Sequence, residues 1–204
     1  MQGTSIKKED YRASYSLILL AGMFIIGMIY GVLLIKSNSD TLANTILIIT
    51  NEYTIKLQQQ TILQSFMSSF ASTFIFILLP YLLGYSAIAQ PLIILVPWFK
   101  GLGLGFFMAN LYTSYGFSGI GFCALVIMPS TLVALFCIVI ASREALKLSN
   151  LFFQSFASKR NLAVCFTTIK LYNLKLLVLS VISVTASIVN VVCVLLFSRL
   201  FHFI

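Results

Sequence analysis

The sequence predicts an all-α, polytopic integral membrane protein with about five transmembrane helices, and two observations carry that expectation. Of 204 residues, 60% are hydrophobic and only 9% are charged, with a mean hydropathy of +1.03. Soluble domains are about half apolar and carry roughly 25% charged residues, and a soluble chain of this length exposes too much surface to hide such an apolar excess. The apolar residues also come in runs of about 20, enough to cross a hydrocarbon core of roughly 30 Å at about 1.5 Å per residue. A single transmembrane domain, 1–204, accounts for the chain.

The first span covers 14–35. A basic flank (Lys7, Lys8, Arg12) precedes it, and Ile35-Lys36-Ser37-Asn38 follows. A signal-peptide core is only about 7–15 residues long and ends at a small-residue cleavage site, so this run is predicted to remain as an uncleaved helix. The loop 36–65 comes next. Leu42, Ile46, Ile49, Tyr53 and Leu57 recur at spacings of 4, 3, 4 and 4, one face of an amphipathic helix that Asp40 would cap. Such a helix lies on the membrane surface, docks a partner, or packs on its own bundle.

The second span covers 66–85 and carries Pro80. The stretch 86–116 is apolar but interrupted by Pro91, Pro97, Lys100, Gly101, Gly103 and Gly105. Two arrangements fit it: one span over 90–112 with Lys100 near mid-membrane, or two half-helices hinged between Pro97 and Gly105. A lysine at that depth costs about 2.5–3.5 kcal/mol, which surrounding Leu, Ile and Phe residues offset. The fourth span covers 117–142 and carries Pro129; both Pro80 and Pro129 are predicted to kink their helices. A basic loop, 143–173, contains Phe152, Phe153 and Phe156 and suits either anionic lipid headgroups or plain solvent. The last span covers 174–197.

Charge placement selects the single-span arrangement. With five spans and a cytoplasmic N-terminus, nine basic residues fall inside: Lys7, Lys8, Arg12, Arg143, Lys147, Lys159, Arg160, Lys170 and Lys175. Lys36, Lys56 and Arg199 fall outside with the C-terminus, and Lys100 is counted on neither side. That is the asymmetry expected of a multi-pass protein in the bacterial cytoplasmic membrane. A re-entrant 86–116 would put the basic loop on the wrong side. The net charge of +8 is distributed as these flanks, not as a basic face with interleaved aromatics, so nucleic acid is not an expected partner.

Catalytic donors are scarce. The five acids (Glu9, Asp10, Asp40, Glu52, Glu144) all lie outside the predicted spans, and the single histidine is His202. A Ser–His–Asp set, a carboxylate pair or a metal cluster has no source at membrane depth. No phosphate-binding GxxxxGK[ST] loop occurs. Cys123, Cys137, Cys165 and Cys193, spaced 14, 28 and 28 apart, form no CxxC pair and read as small hydrophobic residues. The expectation is a non-enzyme with no catalytic residues, no cofactor and no metal.

Interaction candidates are Lys100, Gly101, Gly103, Gly105, Asn110 and Pro129. Glycines at i, i+2 and i+4 strip side chains from part of a helix and let another helix come close. Lys100 either snorkels from a tightly packed helix or supplies a cation to a polar cavity or a partner. Asn110 and Asn190 are candidate interhelical hydrogen bonders.

One family shows the same features in the same order. Ile26-Gly27-Met28-Ile29-Tyr30-Gly31 in the first span is followed by Gln64-Ser65-Phe66, Gly84, and Trp98-Phe99-Lys100-Gly101-Leu102-Gly103-Leu104-Gly105-Phe106. A Tyr115-Gly116-Phe117-Ser118-Gly119 turn then leads to Met128-Pro129-Ser130 and Ala141. This order resembles the stage II sporulation protein M family, most clearly from Gln64 to Leu148. The resemblance implies five spans and a role in endospore formation. It implies a membrane anchor, or scaffold, for a complex that remodels septal peptidoglycan during engulfment, with the cutting done by stage II sporulation proteins D and P. The alternative is a small transport component, a channel or permease-like subunit, with Lys100 beside a broken helix at its substrate site.

Overall fold

The computed structural model describes residues 3–37, 62–158 and 162–197, with side chains described for 15–35, 62–154 and 169–196. The amphipathic stretch expected within 36–65, the Cys165 side chain and His202 lie outside those residues. Among the described residues the chain is helical apart from one turn: α1 (Gly3–Ser37), α2 (Ile62–Leu83), α3 (Gln90–Phe122), a π-helical turn (Cys123–Ile127), α4 (Met128–Ser158) and α5 (Leu162–Phe197). Four helical stretches are long and apolar enough to cross a membrane: Tyr15–Ile35, Ile62–Leu83, Gln90–Gln154 and Ile169–Leu196. Their outward faces remain apolar, with Ile18, Phe117 and Phe136 at least 70% exposed, as a lipid-solvated surface requires.

The third stretch is not straight. Gly116 sits at φ 60° and ψ −137° between residues that are helical on both sides. That region is open essentially to glycine alone, and the chain reverses there. Leu111 packs against Gly119, whose missing Cβ leaves room for the Leu111 carbonyl. Farther from the turn, Val96 meets Ile138 and Ala141, and Ile93 meets Ala145 and Leu148. Residues 90–115 and 117–154 are therefore two antiparallel arms of a helical hairpin.

The first arm is one unbroken helix. Pro91 falls in its first turn, where a missing N–H has no consequence, and the helical backbone continues through Pro97, Lys100 and Gly101–Gly105 up to Gly116. The hinge between Pro97 and Gly105 that the sequence left open does not form. Pro129 acts through the turn before it. Its ring would strike the carbonyl of Leu125 in a regular α-helix. The π-turn widens that backbone instead, and the Met128 N–H donates five residues back to Cys123. The loop expected at 143–173 is mostly helical, because its charged residues end the apolar run without ending the helix.

Ile77, Val96, Cys137, Ile138, Ala141 and Leu179 bring α2, both hairpin arms and α5 into one core. The helix α1 packs differently. Its Gly27 and Gly31 lie against the Trp98 and Leu102 carbonyls of α3, while Gly101 and Gly105 lie against the Phe24 and Met28 carbonyls of α1. Two GxxxG faces thus interlock backbone to backbone, the usual way for membrane helices to gain close van der Waals contact.

An intramembrane polar recess as candidate functional site

On α2, Ser65, Ser68, Ser69, Ser72 and Thr73 follow each other at steps of three and one. At about 3.6 residues per turn these hydroxyls share one face. That face borders a recess of about 390 Å³ whose other walls come from α3, the π-turn, α4 and α5. The ring of Phe76, one turn beyond Ser72, also lines it.

Lys100 enters from α3. Its Nζ donates to Ser72 Oγ at 3.3 Å and stands 4.7 Å from the centroid of the Phe76 ring, close enough for a cation–π contact. Both partners are neutral, and no residue lining the recess is acidic. The ammonium therefore meets dipoles and a ring quadrupole but no counter-charge on these walls.

The far wall is organised by the π-turn. Ser130 Oγ donates to the Ile127 carbonyl at 3.0 Å and lies 3.3 Å from Asn190 Oδ1 on α5. Thr131 Oγ1 lies 2.9 Å from the same carbonyl and 3.0 Å from that of Met128. Back-bonding of this kind gives each hydroxyl proton an acceptor within its own helix, so that neither needs water.

The six predicted interaction residues do not form one site. Lys100 and Gly103 line the recess. Gly101 and Gly105 lie on the other side of α3, against α1. The expectation of one three-glycine face is corrected on this point. A step of two residues turns about 200° around a helix, so Gly103 must face away from its neighbours. Asn110 is buried away from the recess, and Pro129 shapes the wall without lining it. Asn190 does bond between helices, through Ser130.

Sequence reasoning overlooked the α2 hydroxyl stripe, although its helical period was in view. Serine is neutral in a hydropathy count, so the run 66–85 registered only as apolar. It also overlooked the polar clamp where α2, α4 and α5 meet. There Glu144 pairs with Lys147 at 2.9 Å and Lys175 at 2.6 Å. Tyr81 and Tyr85 both donate to Asn173, at 3.0 and 2.7 Å, while Tyr172 bonds the Tyr81 carbonyl at 3.1 Å. The recess beside this clamp measures about 10 Å³, too little for a ligand, so the clamp joins helices.

Among the described residues, no group of three or more His, Cys, Asp or Glu side chains is placed to hold a metal. In comparison with known proteins, the family model for stage II sporulation protein M matches residues 20–198. No curated protein and no solved structure matches the chain.

Proposed function

The chain belongs to the stage II sporulation protein M family, and from that premise we propose that it anchors a sporulation complex in the bacterial cytoplasmic membrane. In this role it recruits separate peptidoglycan-degrading partners, the stage II sporulation proteins D and P, to the septum during engulfment. The family match is the observation that carries the proposal. Two others support it: the described helices bring together side chains suited to packing, and Glu144, the one acid among the described side chains, is engaged by two lysines. A chain of this kind holds and positions hydrolases and is not itself an enzyme.

Counting the two hairpin arms separately, the chain crosses the membrane five times, with the N-terminus inside and the C-terminus outside. The nine-to-three distribution of basic residues supports that orientation. Gene deletion in a sporulating host tests the role. Septal membranes followed by fluorescence are expected to stall before engulfment, and normal engulfment refutes the anchor.

The polar recess favours a second reading, a small transport component. Its broken-helix support is gone, since α3 runs unbroken past Lys100. Reconstitution in liposomes with a flux assay separates the two, with Lys100→Met abolishing flux if the recess is a conduit.

A further inference from the structure

The recess around Lys100 has the size and chemistry of a ligand site. Its 390 Å³ falls within the range of about 300–1,000 Å³ usual for small-molecule pockets. One wall offers the α2 hydroxyls and an ammonium, all of them hydrogen-bond donors. The aromatic rings of Phe76, Phe99 and Phe107 supply an apolar side.

The opening faces sideways. Phe99 is 55% exposed, Ser68 and Ser72 are exposed, and open space stands where a side chain on Gly103 would be. All four lie well inside helices apolar enough to cross a membrane. Lys100 is ten residues into α3, about 15 Å along its axis, and so near the middle of the hydrocarbon layer. A cation held at that depth by a neutral hydroxyl and an aromatic ring is better satisfied when an anion or water also meets it.

We propose that the recess binds one amphiphile of net negative charge whose headgroup ends in a phosphate or carboxylate, with that headgroup at Lys100 and the α2 hydroxyls and its tail passing out between α2 and α3. The mixed lining demands both halves of such a molecule: donors for the head, phenyl rings and hydrocarbon for the tail. The lining argues against a partner's apolar helix, since Lys100 and the α2 hydroxyls would then face hydrocarbon with no anion or acceptor to meet them.

The test uses full-length protein in a non-ionic detergent and native mass spectrometry. The probes are dilauroyl phosphatidic acid, lauric acid, dilauroyl phosphatidylcholine and inorganic phosphate. One phosphatidic acid or laurate per chain should be retained, with phosphatidylcholine at least about tenfold weaker, the scale of one charge-assisted contact. Lys100→Met should reduce retention of the anionic probes about tenfold or more, and Lys100→Arg should keep most of it. Lys100→Met makes α3 more apolar, so it is expected to fold, and an unchanged far-UV circular dichroism spectrum verifies this. Ser69→Leu fills the recess without touching the charge and should also weaken retention.

The proposal is overturned if phosphatidylcholine binds as well as phosphatidic acid, or if Lys100→Met retains the anionic probes at wild-type levels. It is equally overturned if inorganic phosphate alone displaces them at matching concentration. A lipid-free dimer that Lys100→Met splits would assign the recess to a second copy of the chain and would likewise overturn it.

Discussion

Replacing Gly105 by alanine tests the α1–α3 contact most directly. A methyl group at 105 would fall on the carbonyl oxygen of Met28. That oxygen belongs to the backbone of α1 and cannot rotate away as a side chain would, so the helix itself must move. Overpacking of this kind costs about 1–3 kcal/mol, while alanine's better helix propensity returns about 0.8–1.0 kcal/mol. The net effect expected of Gly105→Ala is a destabilisation of up to about 2 kcal/mol. Gly103→Ala is the internal control. No atom lies within 4 Å of its new Cβ, so only the propensity gain remains, about 1 kcal/mol of stabilisation. The propensity gain cancels between the two variants, so the same chemical change two residues apart should differ by the overpacking cost, about 1–3 kcal/mol, roughly a 5- to 150-fold change in the equilibrium constant. Titration of detergent-solubilised protein with dodecyl sulfate measures this by far-UV circular dichroism. The single tryptophan, Trp98, adds a local signal, because its ring centroid lies 6.0 Å from that of Tyr30 on α1. If both variants shift the transition in the same direction, or neither shifts it, the interlocked-glycine account is wrong.

Gly116→Ala should cost about 1–3 kcal/mol through backbone strain alone, seen as an earlier transition in the same titration; an unchanged midpoint would mean the hairpin turn tolerates a side chain. Glu144→Gln removes two ion pairs whose lysine ends are about half exposed, so it should cost no more than about 1 kcal/mol per pair. That cost should shrink between about 0.01 and 1 M salt as screening increases, and a salt-independent cost would place its origin in packing. For orientation, Tyr115→Cys in a Cys165→Ser background should label from outside intact cells, and Ser155→Cys only after permeabilisation. The reverse pattern would invert the bundle.

Much of this architecture could be read before any coordinates. The run 14–35 became the apolar part of α1, and 90–112 became the arm in which Lys100 sits, because apolar length is a property of composition. Helix ends were harder. The helices α4 and α5 run through residues expected to be loop, since a lysine or arginine that ends a membrane span is a good helix former once outside it. Direction around the axis was hardest. Gly101 and Gly103 look alike on paper, yet one touches α1 and the other faces the recess. The hydroxyls of α2 were visible singly, but only the placement of Lys100 and Asn190 on other helices turns them into the wall of a cavity.

The turn from Cys123 to Ile127 has a geometric consequence of its own. An α-helix advances about 100° per residue, so one surplus residue in a turn rotates everything downstream by about that angle. Ser130 and Thr131 aim inward, and Phe136 aims at lipid at 72% exposure, only in the phase that this surplus residue sets. Deleting a single position there would act like a key turned in a lock: the rest of α4 would swing, presenting a different set of side chains to α2 and α5. Composition would barely change, while the chemistry of the interior would be redrawn.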